Sequence, residues 1–320
     1  MLAPLKSIEH ILASPIDPSA EVEFLWRGDA LMESKVVDGA GRSVPVPLIS
    51  GQPVLIDFDE SAVPRRWFEE RRESYSLVAE RRSLPRAIKA RLFGTYEVSR
   101  RNFEKFSREI ASGQPGPRLV LMVGAGQKGM GTEVLYDDPD TTLIAFDIYP
   151  SPFTVFVADA HRIPVKSESV DAVCIQAVLE HVLDPACVVS EILRVLKPEG
   201  VVYAETPFMQ QVHEGASDFT RFTELGHRWL FRDFDTIERG AIGGPGLSVY
   251  WSMKYFFRGL TRSRKLANIL SIPFGLFALL DAVMPSGQVI DGANGVYFMG
   301  RKSGGRLVPR EVFEQYLGAQ

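Results

Sequence analysis

A short apolar run that ends in a cluster of glycines is the feature that most restricts how this chain can fold. The run begins at Leu119, and Gly124, Gly126, Gly129 and Gly131 follow it. A buried parallel strand that enters a tight turn has this pattern. Because glycine has no Cβ, such a turn accepts positive φ angles and lets a ligand lie against the backbone. The stretch therefore predicts a parallel strand followed by a ligand-binding loop.

An acidic residue lies at the distance that nucleotide sites use. Asp147 comes 18 residues after Gly129, at the end of a second apolar run, Leu143–Phe146. A carboxylate there can accept hydrogen bonds from both hydroxyls of a ribose. The spacing Gly124-x-Gly126-x-x-Gly129 also matches the fingerprint of dinucleotide enzymes. We therefore predict a nucleotide-type ligand at the carboxyl ends of parallel strands, and the glycines alone leave its identity open.

Further strand patterns follow, and short motifs lie beside them. An Asp-Ala pair follows the third strand, Leu-Glu-His follows the fourth, and Leu-Lys-Pro-x-Gly precedes the fifth. In chain order these segments are Phe153–Val157, Asp159-Ala160, Ser169–Ile175, Leu179–His181, Leu196–Gly200 and Val201–Glu205. The alternation of strands and helices predicts an α/β domain with a mainly parallel sheet.

This order of motifs closely resembles the class I S-adenosylmethionine (SAM)-dependent methyltransferases, in particular the type-11 methyltransferase domain, from about Arg118 to Asp235. The resemblance implies a Rossmann-like seven-stranded sheet, mostly parallel with an antiparallel last strand, and SAM as cofactor. A nicotinamide enzyme is an alternative, but we locate no hydride-transfer site for it. Met122 departs from the family, which has an acidic residue two positions before the first glycine. Weaker cofactor binding, a substitute group and a non-catalytic SAM-binding scaffold all remain open.

The resemblance also implies eight cofactor contacts near the ends of the first four strands. They are Gly124, Ala125, Gly126 and Gln176 for the amino-acid end of SAM, Asp147 for the ribose, and Ile148, Asp159 and Ala160 for the adenine. Glu180 and His181 begin the next loop, where they either face the ligands or cap the following helix.

The segment after the fifth strand, residues 206–223, is polar, aromatic and irregular, so it predicts an acceptor-binding loop. His213 is the candidate general base, since its reference pKa of about 6.5 suits that role. Asp218 would orient His213, and Arg221 would bind an acidic group of the acceptor. Alternatively, these three side chains order the loop. The expected acceptor is a small molecule or a glycan precursor, methylated on oxygen, carbon or nitrogen.

Residues 1–60 contain short strand patterns separated by glycine and proline. They resemble a degenerate zinc-ribbon domain of the kind that activates or precedes some methyltransferases. Ser14-Pro15-Ile16-Asp17 stands where that family has Cys-Pro-x-Cys. Because the cysteines are lost, we expect no zinc, and we assign no metal ligand elsewhere. The module either recognises a partner or substrate, or packs as a structural cap.

Residues 61–113 form a basic helical linker. Ala62–Ala111 holds 13 Lys and Arg against 7 Glu, with apolar residues at helical spacing. The simpler interpretation is a pair of solvated helices with Arg–Glu pairs on the outer face. The alternative is a surface for RNA or another phosphate-bearing partner, with an RNA methyltransferase using the arginines of residues 65–108.

The methyltransferase domain is expected to span residues 114–303, with its sixth strand at Phe234–Arg239 and its seventh at Gly295–Gly300. Residues 247–285 are a helical insertion between them. We predict that the insertion is a lid over the acceptor. Alternatively, residues 266–284 rest on a membrane surface. Residues 304–320 are expected to form a tail helix.

The net charge and the cysteine content indicate which partners and which cellular compartment to expect. A net charge of −4 provides no overall attraction to nucleic acid or to anionic membranes. The two cysteines, Cys174 and Cys187, lie in a predicted strand and a predicted helix, so we expect no disulfide and a cytoplasmic location. We find no signal-peptide pattern and no apolar run of the ~20 residues that span a bilayer.

Overall fold

A nine-stranded sheet organises the part of the chain that this computed structural model describes, namely residues 1–37, 42–69, 95–113 and 116–320. Before it in sequence lies a small three-stranded antiparallel sheet. The strands are β1 (Val22–Arg27), β2 (Ala30–Val37), β3 (Ser43–Val46), β4 (Leu48–Ile49), β5 (Gln52–Leu55), β6 (Arg118–Val123), β7 (Thr141–Asp147), β8 (Phe156–Ala158), β9 (Val170–Gln176), β10 (Leu196–Pro207), β11 (Asp235–Gly243) and β12 (Gly295–Arg301).

The large sheet has the strand order β11-β12-β10-β9-β6-β7-β8-β5-β4. Strands β10, β9, β6, β7 and β8 are mutually parallel. Strand β12 is antiparallel to both of its neighbours, β10 and β11. The seven strands from β6 to β12 therefore confirm the expected mostly parallel sheet with an antiparallel last strand. Because the parallel strands end at one edge of the sheet, their following loops converge there.

Two strands from the N-terminal region extend this sheet, which the sequence did not predict. Strand β5 pairs in parallel with β8, with Val54 opposite Val157, and β4 pairs with β5. The Met1 amino group also donates a 2.8 Å hydrogen bond to the Thr141 carbonyl. The N-terminus and the strands β4 and β5 are thus attached to the large sheet, whereas β1–β3 form a sheet of their own.

The N-terminal turn that resembles a zinc-ribbon motif closes through a hydroxyl group. The Ser14 hydroxyl accepts hydrogen bonds from the amides of Ile16 and Asp17, at 3.1 and 3.2 Å. Such side-chain acceptors mimic a backbone turn. Only β1, β2 and β3 form the independent small sheet, and the zinc-ribbon resemblance stays a prediction.

Helices cover both faces of the large sheet. The α-helices of the described residues are α1 (Leu5–Ile8), α2 (Arg66–Glu69), α3 (Thr95–Ala111), α4 (Glu133–Tyr136), α5 (Pro185–Val195), α6 (Glu224–Leu230), α7 (Pro245–Thr261), α8 (Arg264–Ser271) and α9 (Ser286–Asp291). On one face, Phe103 and Phe106 of α3 are fully buried against Tyr203 of β10. On the other, Ile192 and Val195 of α5 belong to the larger apolar core. Burial of both faces explains why the central strands are continuous apolar runs.

Half of the basic linker lies outside the described residues. Residues 70–94 include Arg71, Arg72, Arg81 and Arg82, so the proposed RNA surface is described only in part. Helix α3 packs on the sheet, and its polar face forms ion pairs: Lys105 lies 2.6 Å from Glu238. The described part therefore supports the simpler interpretation of an outer face with paired charges.

The helical insertion forms a tightly folded hairpin. Helix α7 is followed by α8 and by a 3₁₀ segment, Ile272–Val283. The Asp281 carboxylate accepts hydrogen bonds from the amides of Gly244, Gly246 and Leu247, at 3.1, 2.7 and 3.2 Å. A carboxylate at a helix N-terminus satisfies amides that have no partner within the helix. Asp281 therefore fastens the end of the hairpin to its start.

Two expectations about the C-terminal part are wrong. Arg264–Val283 is a helical segment of 20 residues that is long and apolar enough to cross a membrane, by length and composition only. The expectation overlooked it because a proline and an aspartate interrupt the apolar run. The predicted tail helix is instead two 3₁₀ turns, Pro309–Glu311 and Phe313–Gln315.

Candidate active site

The glycine-rich loop needs glycine at its first position. Gly124 follows β6 with a φ angle of +73°, which L side chains rarely adopt. A Cβ on residue 124 would lie 2.1 Å from Cγ2 of Val178, a residue in the loop after β9. The amides of Gly124 and Ala125 both donate 3.0 Å hydrogen bonds to the Phe146 carbonyl. The loop is thus held by β7 and closely packed against the loop after β9.

Asp147 connects the end of β7 to this loop. Its carboxylate accepts hydrogen bonds from the amides of Gly126 and Ile148, each at 2.7 Å. Although the residue is partly exposed, surrounding protein atoms bury the carboxylate enough to raise its pKa to about 6. Each oxygen retains a second lone pair for an external donor. Ribose binding by Asp147 stays a prediction, and both carboxylate oxygens keep an acceptor position for it.

Tyr149 occupies the space above the second glycine. A Cβ on Gly126 would lie 2.1 Å from the Tyr149 hydroxyl oxygen, so the phenol ring rests against the loop backbone. Close approach to the backbone at Gly126 is what the resemblance expects of the cofactor. Tyr149 directly follows Ile148 in the loop after β7, and the sequence did not single it out as a residue near the glycine-rich loop.

Asp159 is engaged with its own surroundings. It accepts hydrogen bonds from the His161 amide at 2.9 Å, from His161 Nδ1 at 2.6 Å and from the Ser61 hydroxyl. Burial alone would raise its pKa, but these hydrogen bonds outweigh burial and lower it. The same hydrogen bond raises the pKa of His161. The adenine contact expected of Asp159 and Ala160 remains a prediction, and it would have to use the remaining lone pairs of the Asp159 carboxylate.

A buried acid that the sequence did not single out lies below the loop. Gln176 donates hydrogen bonds to the Met130 carbonyl at 3.0 Å and to the Glu205 carboxylate at 2.7 Å. The Tyr203 hydroxyl donates to the same carboxylate. Burial raises the pKa of Glu205. Since Tyr203 and Met122 belong to one apolar cluster and Glu205 comes two residues after Tyr203, the acid lies on the sheet face that bears Met122.

The acceptor loop is ordered by an ion pair. Arg221 forms two hydrogen bonds with the Asp218 carboxylate, and it also donates to the carbonyls of Gln210 and Thr220, at 3.1 and 2.8 Å. Burial would raise the pKa of Asp218, but the hydrogen bonds from Arg221 and from the His213 amide lower it to about 2. The guanidinium is committed to protein acceptors, so the geometry supports the loop-ordering alternative for Arg221.

His213 lies next to Asp218 of its own loop and next to Glu180 and His181 of the loop after β9. Its Nδ1 lies 3.3 Å from Asp218 Oδ2, and its Nε2 lies 3.8 Å from Glu180 Oε1. Its ring packs edge-on against His181, with centroids 5.1 Å apart. Burial lowers the pKa of His213, so the imidazole is neutral at neutral pH. The predicted base and its predicted orienting partner are therefore brought together.

Glu180 and His181 do not cap the next helix. Asp184 does, accepting 3.0 Å hydrogen bonds from the amides of Ala186 and Cys187. The side chain of Glu180 is buried, and burial raises its pKa to about 8. Its carbonyl accepts a 2.8 Å hydrogen bond from the Phe219 amide, which attaches the acceptor loop to the loop after β9.

A cleft of about 480 Å³ opens between the acceptor loop and helix α7. The Tyr255 hydroxyl of α7 donates a 2.5 Å hydrogen bond to the Val212 carbonyl of the loop. The cleft is lined by Gln210, Gln211, Val212, Asp218, Phe219, Thr220, Arg221 and Tyr255. Helix α7 therefore contacts the acceptor loop, and its role as a lid stays a prediction.

Residues 121–204 match the methyltransferase domain family. The chain carries a methyltransferase domain. The match runs from β6 into β10, and it contains every residue that was assigned to the cofactor. The cofactor of this domain is SAM, and the enzyme class is that of SAM-dependent methyltransferases.

Solved structures with a similar fold are distant from this methyltransferase domain. A candidate sarcosine dimethylglycine methyltransferase from Galdieria sulphuraria is 16% identical, with a TM-score of 0.44 over 75% of this chain and 97% of that chain. A complex between the Haloferax volcanii Trm112 methyltransferase activator and a candidate methyltransferase is 17% identical, with a TM-score of 0.39 over 69% of this chain and 100% of that chain. Phosphoethanolamine N-methyltransferase 2 of Haemonchus contortus, in complex with S-adenosyl-L-methionine, is 14% identical, with a TM-score of 0.40 over 62% of this chain and 52% of that chain. A search of curated proteins found no match.

Proposed function

We propose that this methyltransferase transfers the methyl group of SAM to a small-molecule or glycan-precursor acceptor. The observation that carries the proposal is the cleft of about 480 Å³ between the acceptor loop and helix α7. Ligand pockets for small molecules commonly have volumes of about 300–1,000 Å³. Tyr255 of α7 and Val212 of the acceptor loop both line the cleft, and the hydrogen bond between them joins its two walls.

The cofactor half of the reaction rests on the loops after β6 and β7. SAM carries an electrophilic methyl group, so the protein mainly has to align acceptor, methyl carbon and sulfur and to exclude water. Such positioning can supply about 7–11 kcal/mol of the barrier. Asp147 would hold the ribose, and the backbone at Gly124 and Gly126 would approach the amino-acid end.

The acceptor half rests on His213. Its imidazole is neutral because burial lowers its pKa, and it lies next to the Asp218 carboxylate. A proton lost by a hydroxyl or amine of the acceptor would therefore leave toward His213. Asp218 orients the ring, and Arg221 holds Asp218 in place.

The test is a SAM-dependent assay of S-adenosylhomocysteine release with panels of sugar nucleotides, small hydroxy acids and small amines. We expect turnover with at least one of these compact acceptors, and a loss of kcat of at least about 100-fold in His213→Ala. The Phe313→Ala variant, changed at an exposed side chain of the tail, is the matched control. Methylation of RNA but of no compact acceptor would refute the proposal.

A second candidate function is methylation of a lipid-linked acceptor at a membrane surface, which an exposed apolar surface of the insertion favours. Apolar side chains of the insertion are exposed in unusual number, and basic residues flank them. The apolar residues are Leu260, Leu266, Ile269, Leu270, Ile272, Leu276, Phe277, Leu279, Leu280 and Val283, and the basic ones are Arg258, Arg262, Arg264 and Lys265. We propose that this surface, called the apolar ridge, rests on an anionic membrane that carries a lipid-linked acceptor.

Flotation with vesicles tests the apolar ridge. We expect the protein to float with vesicles that contain anionic lipid, and the double variant Ile272→Glu/Val283→Glu to remain in solution. Phe313→Glu, at a side chain that is 80% exposed outside the ridge, should float like the unchanged protein. Equal recovery of all three proteins with the vesicles would contradict the membrane contact.

A further inference from the structure

Two histidines and a buried glutamate meet at the acceptor end of the site. The ligand atoms of Glu180, His181 and His213 all lie within 4.8 Å of one another. The Nε2 atoms of His181 and His213 lie 3.6 and 3.8 Å from Glu180 Oε1. Glu180 and His181 follow β9, whereas His213 follows β10, so the fold brings together ligands from two loops.

Glu180 lacks the partners that a buried carboxylate normally has. Its side chain is 1% exposed, and neither carboxylate oxygen has a hydrogen-bond partner among the described residues. A buried polar group without a partner costs about 1–3 kcal/mol, and a charged one costs more. Arg221, whose charge acts on Glu180, is already bound to Asp218. Glu180 Oε1 lies beside both imidazoles, and no Lys or Arg of the described residues forms an ion pair with it.

The outer nitrogen of each histidine is fixed by another protein group. His181 Nδ1 lies 2.6 Å from the Ser217 carbonyl oxygen, which can only accept, so Nδ1 carries the proton. His213 Nδ1 lies 3.3 Å from Asp218 Oδ2, and it is within hydrogen-bond distance of Arg221 Nη2, at 3.5 Å. The His181 arrangement leaves the Nε2 lone pair free beside Glu180 Oε1, and Nε2 of His213 lies beside the same oxygen. Metal-binding histidines usually donate their other N–H to a carboxylate or carbonyl in this way.

We propose that Glu180, His181 and His213 bind one divalent transition-metal ion such as Zn²⁺, Mn²⁺ or Co²⁺. Ligand atoms about 2.1 Å from one tetrahedral ion lie about 3.4 Å apart. The separations of 3.6 and 3.8 Å between Glu180 Oε1 and the two histidines exceed this by a few tenths of an ångström, and all three ligand atoms lie within 4.8 Å of one another. Two imidazoles disfavour Mg²⁺ and Ca²⁺, which prefer oxygen ligands. Three protein ligands leave a coordination position open, as in catalytic metal sites.

A metal ion at this site would promote deprotonation of the acceptor. This role of the ion rests on the proposed function, whereas metal binding itself does not. An acceptor hydroxyl in the open position would lose its proton to solvent more readily, because a bound cation lowers the pKa of a coordinated oxygen. The resulting oxygen would attack the methyl group of SAM. The S–CH₃ bond breaks as the O–CH₃ bond forms, and S-adenosylhomocysteine leaves. His213 would then act as a metal ligand, and the metal ion would replace it as the group that promotes deprotonation.

The sequence analysis assigned no metal ligand because the signal is divided. Glu180 and His181 form a short motif that is compatible with helix capping, and His213 follows 32 residues later on another loop. Only the pairing of β9 with β10 makes the two loops neighbours.

The test uses the full chain after removal of metal with a chelator. Titration with CoCl₂ should give one equivalent of binding and the visible absorption bands of Co²⁺ bound to nitrogen and oxygen ligands. Glu180→Gln and His213→Gln should each weaken Co²⁺ binding at least tenfold, whereas His10→Gln, at an exposed histidine outside the cluster, should bind like the unchanged chain. Titration with S-adenosylhomocysteine, run on every variant, reports whether the cofactor half of the site is folded.

These measurements separate the metal site from the proposed function. Co²⁺ binding that Glu180→Gln and His213→Gln both weaken, with S-adenosylhomocysteine binding intact, supports the metal site. The proposal is overturned if the unchanged chain binds no stoichiometric Co²⁺, or if the two cluster variants bind it as tightly as His10→Gln does. Failure of S-adenosylhomocysteine to bind to the unchanged chain would instead count against the methyltransferase function, whatever the Co²⁺ result.

Discussion

Gln176 and Glu205 lie opposite each other on β9 and β10, and the Gln176 side chain donates a 2.7 Å hydrogen bond to the Glu205 carboxylate. The same amide group donates to the Met130 carbonyl in the glycine-rich loop. A buried acid of β10 is thus coupled to the loop that β6 supports, where Met122 replaces the acidic residue that the family resemblance leads one to expect. Glu205 is the acid best placed to compensate for that replacement.

Replacing Glu205 by methionine should weaken cofactor binding. The change keeps the approximate size of the side chain but removes the acceptor that positions Gln176. We expect S-adenosylhomocysteine affinity to fall about tenfold, since a hydrogen bond to a charged group contributes about 1.5–3 kcal/mol. Calorimetric titration measures the change. Tyr203→Phe, which removes the other donor to Glu205 and leaves Gln176 in place, should change the affinity less than threefold. Equal losses in both variants would assign the effect to general packing.

An alanine at position 124 should destabilise the loop. Its Cβ would overlap Val178, and its φ angle of +73° would be strained, so we expect a loss of about 3 kcal/mol in the free energy of unfolding. Adding Val178→Ala should recover the share of the lost unfolding free energy that is due to overlap with the Val178 side chain. The share that is due to the strained φ angle should remain lost. Urea denaturation of both single variants and the double variant gives this coupling.

Gly259→Ala is the matched control for that experiment. Gly259 lies inside α7, and a Cβ there meets nothing within 4 Å. Alanine is the better helix former by about 1 kcal/mol, so this variant should be slightly stabilised. If Gly124→Ala were equally harmless, the close packing of Val178 on the loop would be disproved.

Cofactor affinity should fall at acid pH because of Asp147. Burial raises its pKa to about 6 in the unliganded protein, whereas ribose hydroxyls bind the ionised form. Proton binding therefore competes with the cofactor, and we expect affinity about tenfold lower at pH 5 than at pH 8. Asp147→Asn should bind weakly, with little change over this range. An unchanged affinity between pH 8 and pH 5 in the parent protein would argue against ribose binding by this carboxylate.

The free energy of unfolding should also fall at acid pH, and protonation of His227 should account for part of that decrease. This histidine is buried without a partner for Nε2 among the described residues, and burial lowers its pKa to about 3. Because the unfolded chain binds the proton at a pKa near 6.5, stability is lost as the pH falls below that value. The expected loss is about 1.4 kcal/mol per pH unit, down to the folded pKa.

Urea denaturation at several pH values measures that loss. His227→Phe keeps the aromatic packing against Phe231 and removes the titrating group, so its stability should depend less on pH between 6.5 and 5. His10→Asn, at an exposed histidine, should retain the slope of the parent chain. A parallel slope in His227→Phe would show that other groups account for the acid sensitivity.

Local sequence patterns predicted the central part of the fold. Each strand from β6 to β10 is a short apolar run, and the glycines and Asp147 mark where a chain turns at the end of a strand. These signals lie within a few residues of the feature that they predict. The antiparallel β12 also came from the resemblance, because its position after the insertion is typical of that fold.

Contacts between distant segments were not predicted. The addition of β5 to the edge of the sheet at β8 depends on exposed strand groups that neither segment reveals by itself. The cluster of Glu180, His181 and His213 depends on the pairing of β9 with β10. Likewise, the ion pair of Arg221 with Asp218 can be suspected from their spacing, but only the loop geometry shows that the guanidinium is already committed.

The pairing of β5 with β8 has a consequence for how the chain matures on the ribosome. Val54 must remain without its partner until Val157 has been synthesised, 103 residues later. At a translation rate of about 5–20 residues per second, that delay lasts roughly 5–20 seconds. During this interval the edge of β5 that later pairs with β8 has no partner strand, so it is exposed to association with other chains or to binding by chaperones.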